Sequence, residues 1–421
     1  MEPLPPPIRI ETQSHLEQLA ERLFAAPAIA VDTEANPLFA YYERLCLIQV
    51  STARRDYIID PMVGLDLRPL VPVFADPHVV KVFHDAEFDL LMLKRTMPFE
   101  LAALFDTKVV AMALGLENVG LAAILQESFG VTLDKRLQRS DWGCRPLTEG
   151  QLDYARYDTR FLLPLAADLR ARLRNAPEIT QLEVAAEFRR VEQLIPEPRV
   201  FNPDDFIKVK GWERLDPVGQ SVLRELYALR HQIADRLDRP AFKVVGNDVM
   251  LVIAEQRPTS RQAIARCASV SPKLLDRHGD ALLEAVRRGI DSGPLAVDRI
   301  SPTRRDTDLL SEEQSWAYDA LRTWRKGVAA ERGVDASLVL PRAVMLELAK
   351  LEHPVADVEQ LRRLGILEPW RVDYYGAALV EALGSVAAAP HRSGARRGLR
   401  RRSRRRGPTG TRADVARPEN S

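Results

Sequence analysis

Strand-forming runs crowd the beginning of this chain and then stop. "AIAVDTE" (28–34), "RLCLIQVST" (44–52), "DYIID" (56–60) and "VVKVFH" (79–84) are short, rich in branched and aromatic residues, and bounded by polar or turn residues. After about residue 175 no such run occurs, and the rest reads as helices with short turns. Strands mixed with helices, followed by helices alone, require an α/β or α+β layer first and an all-α region after it. At 421 residues, and with about 150 residues per domain, the chain has room for about three domains.

The first part also carries helix signals. One helix is expected from about Asp85 to Arg95, with Asp85 as its N-cap. A second starts after Asp106 and ends at Gly115, a suitable glycine for the residue after a helix end. A third covers "TEGQLDYARYDTRFLLPL" (148–165), opened by a capping box of Thr148 and Gln151 and kinked at Pro164.

The helical part repeats itself at an offset of about 95 residues. "VMLVIAE" (249–255) resembles "VMLELAK" (344–350), and "HGDALLEA" (278–285) resembles "YGAALVEA" (375–382). Arg230, Ile233 and Ala234 match Arg325, Val328 and Ala329. Two copies of one small helical unit follow, with proline-rich joints at 196–205 and near 300–306. "RPAF" (239–242) has no clear counterpart near Ala336.

The net charge of +1 conceals an asymmetry. Residues 391–421 hold 11 Arg against Asp414 and Glu419, a net +9, which leaves 49 basic and 57 acidic residues, a net −8, for the body. "RRGLRRRSRRRG" (396–407) cannot form a core and is expected to be disordered. Such tails bind nucleic acid by releasing counterions from phosphates. The apolar runs are too short to span a membrane, and "MEPLPPPIRI" lacks the pattern of a signal peptide. Cys46, Cys144 and Cys267 fit neither a disulfide framework nor a zinc site, which points to a reducing cytoplasm and to small buried hydrophobes. A monomer is the default expectation.

The chemistry-bearing residues are acids in apolar settings. Asp32 and Glu34 end the first strand two residues apart, so they share one face and repel each other. A divalent metal would offset that repulsion; a strand running into a polar loop is the competing reading. Asp89 lies inside an apolar helical run, where a lone carboxylate costs several kcal/mol unless paired or metal-bound. Tyr154 and Asp158, four apart, share a helix face; alone they could equally be a hydrogen-bonded pair beside the core. His84 reads as structural. Gln49, Lys135, Arg136, Arg139, Trp142 and Arg145 are weaker candidates for contacts to phosphates or bases.

In order, "DTE", "H-x-x-x-F-D" and "Y-x-x-x-D" resemble the DEDD superfamily of 3′–5′ exonucleases, tyrosine branch. "LCLIQVS" (45–51) and "LDKRLQRSDWGCRPLTEGQLDYARYD" (133–158) are similar to the ribonuclease D family within it, and the two helical repeats resemble HRDC domains. The resemblance implies a ribonuclease H-like exonuclease domain, a mixed sheet flanked by helices, at 1–200. HRDC-like domains would follow at 208–294 and 306–388, and the Arg-rich tail at 389–421. It further implies Asp32, Glu34, Asp89 and Asp158 as ligands of two divalent ions, Mg2+ or Mn2+, with Tyr154 orienting the attacking water. Hard cations want oxygen ligands, which suits carboxylates in a chain without a Cys or His cluster. The implied activity is hydrolysis of RNA from its 3′ end to nucleoside 5′-monophosphates, with precursor tRNA as the target. The alternatives are a DNA 3′–5′ exonuclease of the same superfamily or a non-catalytic RNA-binding protein. A helicase is disfavoured, because no phosphate-loop motif occurs.

Overall fold

The computed structural model describes residues 5–133, 135–267, 269–296, 310–353 and 355–387. The Arg-rich tail and the 300–306 joint lie outside these. Among the described residues six strands form one sheet: β1 (Ile8–Ile10), β2 (Ala28–Ala35), β3 (Leu45–Ser51), β4 (Asp56–Ile59), β5 (Val80–Phe83) and β6 (Leu104–Asp106), in the order β1-β4-β3-β2-β5-β6. The β2–β3 and β3–β4 pairs are antiparallel, and β1–β4, β2–β5 and β5–β6 are parallel. The sheet is mixed. Its two edge strands, β1 and β6, are three residues long, too short to show a period in sequence, and only pairing with a neighbour makes them strands.

Among the described residues eight helices accompany the sheet: α1 (Gln13–Phe24), α2 (Val71–Ala75), α3 (Glu87–Thr96), α4 (Thr107–Ala113), α5 (Leu121–Phe129), α6 (Glu149–Arg160), α7 (Leu162–Arg174) and α8 (Glu178–Glu192). Alternation along β2 divides them between two faces. Ile29 and Val31 pack with Leu16 and Leu19 of α1 and Leu90 and Leu93 of α3. Ala30 packs with Val110 of α4 and Leu162 and Leu165 of α7.

Two expectations are corrected here. Asp85 is not a helix cap: its φ is +70°, α3 starts two residues later without a side-chain cap, and the Asp85 carboxylate pairs with Lys108. The buried carboxylate of Asp106 does the local work instead, accepting from the backbone N–H of Asp85 (3.0 Å), Ala86 (2.7 Å), Lys108 (2.8 Å) and Val109 (3.3 Å). It thereby joins the starts of α3 and α4. The stretch 148–165 is two helices, α6 and α7, broken at Phe161. Pro164 falls in the first turn of α7, where no intrahelical N–H bond is lost. The Thr148–Gln151 capping box opens α6 as expected.

Beyond a 3-10 turn at Pro203–Lys208, five helices form the first repeat: α9 (Pro217–Arg236), α10 (Ala241–Val244), α11 (Asn247–Gln256), α12 (Arg261–Arg266) and α13 (Pro272–Asp291). Its core includes Phe206. The second repeat has α14 (Glu312–Arg332), α15 (Ala336–Val339), α16 (Arg342–Ala349), α17 (Val358–Leu364) and α18 (Pro369–Ala387). The repeated arginines do the same job in both. Arg230 of α9 donates to the carbonyl of Val245, just after α10, and Arg325 of α14 donates to that of Leu340, just after α15.

Candidate active site

β2 carries Asp32 and Glu34 to its C-terminal end, on the face covered by α6. α6 brings Asp158. Oxygen atoms of these three carboxylates lie within 4.8 Å of one another. Asp89 comes from α3, across the other face of the sheet. One of its oxygens accepts from the Thr33 backbone N–H at 3.1 Å and also from the Thr33 hydroxyl. Asp32 therefore faces the helix of Asp158 rather than the helix of Asp89, because Thr33 is the β2 residue that points toward α3. Asp89 is 6% exposed.

Burial and mutual repulsion raise the pKa values of Asp32, Glu34 and Asp89. Burial pushes Glu34 to about 10, helped by the charges of Asp32, Asp158 and Asp89. Burial and then Asp158 raise Asp32, and burial and then Asp32 raise Asp89. A set of close, desolvated carboxylates that cannot all ionise is the donor set a hard divalent cation fits.

Tyr154 projects from the same helix face as Asp158 and is hydrogen-bonded to it. Burial, followed by the Asp158, Glu34 and Asp32 charges, raises its phenol well above the usual tyrosine range. It stays protonated at any physiological pH, so it can orient a water but not deprotonate one. The cavity over these groups measures about 480 Å³ and is bounded by Phe39, Phe88, Lys108 and Arg139. A second cavity of about 530 Å³, with Arg136 in its wall, shares Tyr154 and Asp158 with the first.

The weaker candidates scatter. Arg139 lines the site and Arg136 its neighbour; the side chain of Lys135 lies outside the described residues. Three others are corrected. Arg145 is held by Asp60 through two bonds of 2.6 and 2.7 Å and by the carbonyls of Trp142, Cys144 and Cys46, so it pins the loop before α6. Trp142 is 1% exposed and packs against Tyr154, centroid to centroid 5.8 Å, where no base could reach it. Gln49 is fully buried opposite Asp32 in the β2–β3 ladder, with neither amide atom hydrogen-bonded. Cys144 is exposed rather than buried. His84 is structural: its Nδ1 meets the Thr107 hydroxyl at 2.9 Å, and burial lowers its pKa to about 4. Nothing in the sequence marks Lys108 as a cavity residue; Phe88 is the aromatic of the "H-x-x-x-F-D" motif, and the structure leaves it 48% exposed at the cavity beside Asp89.

Residues 7–174 match the 3′-5′ exonuclease family model, and 219–286 and 314–383 each match the HRDC domain. A ribonuclease D of Pseudomonas paraeruginosa is 31% identical over 381 residues, covering 90% of this chain and 97% of that one. The chain belongs to the ribonuclease D family. It is a 3′–5′ exoribonuclease, a hydrolase of the DEDD superfamily. The crystal structure of Escherichia coli RNase D, described as an exoribonuclease involved in structured RNA processing, superposes with a TM-score of 0.62 at 26% identity, over 90% of this chain and 99% of that one. The exosome complex exonuclease RRP6 of Saccharomyces cerevisiae is 33% identical over 268 residues, but this chain spans only 36% of its length. No helix among the described residues is long and apolar enough to cross a membrane.

Proposed function

We propose that the chain trims RNA 3′ ends by hydrolysis at Asp32, Glu34, Asp89 and Asp158, assisted by two divalent ions, with precursor tRNA as its substrate. The observation that carries this is the convergence of three carboxylates within 4.8 Å beside a protonated Tyr154. Asp32, Glu34, Asp158 and the oxygen of Asp89 not committed to Thr33 would hold the ions. Bound Mg2+ or Mn2+ would supply a more acidic attacking water and charge neutralisation at the departing 3′ oxygen. The protein's own groups do the rest. The Tyr154 phenol fixes the direction of the attacking water. Asp158 keeps Tyr154 in place, and Trp142 backs its ring. Thr33 fixes the Asp89 carboxylate. Glu34 would accept a hydrogen bond from the terminal 3′ hydroxyl, a role that requires a free end and would release nucleoside 5′-monophosphates one at a time.

We place this activity in the cytoplasm, in line with three cysteines that form no disulfide, and take the chain as a monomer. The test is product analysis on a tRNA transcript with a 3′ trailer and on a matched DNA oligonucleotide, with Mg2+ or Mn2+. Shortening of the RNA from its 3′ end, slower on DNA and reduced more than about 100-fold by Asp32→Ala, supports the reading. Equal or faster loss of DNA moves the substrate to DNA. RNA binding without metal-dependent cleavage leaves a binding protein.

A further inference from the structure

A third cavity of the nuclease domain lies at the opposite end of β2 and has a different chemistry. It measures about 680 Å³, within the range of small-ligand sites. Its floor is built from small and apolar residues, six alanines with Val82 and Leu163, and Tyr57 adds a ring. Its charged lining is four arginines and no acid: Arg22, Arg54, Arg55 and Arg170. They come from three distant stretches, the last turn of α1, the β3–β4 turn and α7.

The arginines are placed rather than merely scattered. The Thr52 hydroxyl accepts from the backbone N–H of Arg54 (3.3 Å) and Arg55 (3.1 Å), and the Thr52 N–H donates to the Arg55 carbonyl (2.9 Å). This locks the tight turn that presents both side chains. Arg170 lies over the Phe105 ring, 4.9 Å from its centroid. Among the described residues none of the four forms an ion pair. α1 ends at the cavity wall, and its carbonyl end carries about half a negative charge. Four guanidinium groups outweigh that.

We propose that this cavity binds a free nucleotide, the phosphate held by Arg54 and Arg55 with Arg22 and Arg170 beside it, and the base laid on the alanine floor. Guanidinium groups match phosphate oxygens in pairs, and an alanine floor leaves room for a flat ring. The cavity excludes cations by charge. Ala28 in the cavity wall is four residues from Asp32, about 13 Å along the strand, so the cavity is separate from the catalytic carboxylates. The reaction's own nucleoside 5′-monophosphate is the nearest source of such a ligand. That part rests on the function proposed above, but the binding itself does not.

The experiment titrates AMP into the full-length protein by calorimetry in EDTA, where the catalytic carboxylates repel phosphate. Wild type is compared with Asp32→Asn and with the double variant Arg54→Ala/Arg55→Ala. Binding that survives Asp32→Asn, weakens at least tenfold in the double variant and weakens with salt supports the site. The double variant changes two exposed turn residues, so its unfolding temperature and its rate on a short single-stranded RNA should stay at wild-type values. No heat with wild type, loss of binding in Asp32→Asn, or unchanged binding in the double variant overturns the proposal. Inorganic phosphate binding as tightly as AMP removes the base from it. Reduced affinity for a long folded RNA in the double variant, without AMP binding, reassigns the cavity to RNA. If wild type lacks exonuclease activity yet AMP binding still needs the arginines, the site stands and the proposed function falls.

Discussion

The two helical repeats share a fold and meet the nuclease domain in opposite ways. The first grips the rim of the catalytic cavity through polar, half-exposed contacts. The Tyr41 hydroxyl lies 3.0 Å from His231 Nδ1, the Tyr41 N–H donates to Asp238 at 3.2 Å, and Arg44 pairs with Asp238. Lys243 sits 4.2 Å from the centroid of Phe39, which lines the cavity. The second repeat docks away from the carboxylates, on α4 and α8, through a buried network. Arg332 binds both oxygens of Glu183 at 2.6 and 2.7 Å, and the Tyr375 hydroxyl donates to Glu183 at 2.8 Å. Glu183 is 0% exposed, and Leu338 joins the nuclease core. Duplication copied the fold, but the docking surfaces diverged. One repeat shapes the mouth of the site, and the other is welded to its back.

The sharpest break in that contrast comes from Arg332→Ala. It leaves the fully buried Glu183 without its cation, at a cost of about 3–5 kcal/mol. Urea unfolding should show that loss while the surviving folded enzyme keeps its KM. Arg332→Ala without loss of stability would remove the distinction between the repeats.

Divalent metal should stabilise the nuclease part, by about 2.7 kcal/mol at one hundred times its Kd. Burial holds the Glu34 carboxyl at about 10 in the fold, far above its ordinary value of about 4.5, so the folded metal-free state holds its proton more tightly than the unfolded chain does. Its contribution to metal-free stability is therefore complete below about pH 4.5 and is lost as pH rises toward 10. Metal competes with those protons, so the gain in unfolding temperature from Mn2+ over EDTA should be larger at pH 8 than at pH 6. An equal gain at both would mean the carboxylates are not where the ion binds.

Gly115→Ala tests the back interface at one point. The glycine has φ +69°, and a Cβ there would run into the Gly333 carbonyl of the second repeat. A cost of about 1–3 kcal/mol is expected, measured by the same unfolding. The smallest effect belongs to the front. Tyr41→Phe removes one part-buried hydrogen bond, worth about 0.5–1.5 kcal/mol. Its readout is kinetic: KM for RNA should rise with stability nearly unchanged, because the 36–44 loop carries Phe39 into the cavity. A fall in stability as large as that of Arg332→Ala would erase the contrast.

Much of this was visible in the chain itself. Asp32, Glu34 and Asp89 stand out because a charge in an apolar run needs a reason, and β2, β3, β4 and β5 stand out because their runs are long enough to show a pattern. The repeat at about 95 residues is a property of the letters, and it falls on matching helices. Other features depend on neighbours far away in sequence. β1 and β6 exist only through pairing. Asp85 yields its expected role to Asp106 because a left-handed turn, not a cap, joins β5 to α3. Arg145 and Trp142 look like RNA contacts until Asp60 and Tyr154 are seen to occupy them.

The amino-acid sequence by itself determined which residues could carry chemistry, since residue type and local spacing decide charge, helix face and strand face. Only the tertiary structure decided which of them meet. It put Asp158 on the face of Asp32 and Asp89 across the sheet. It gathered four arginines from α1, a turn and α7 into one cavity, and docked two like repeats through unlike surfaces. Contacts between distant segments follow from how whole faces pack, and local sequence does not encode that.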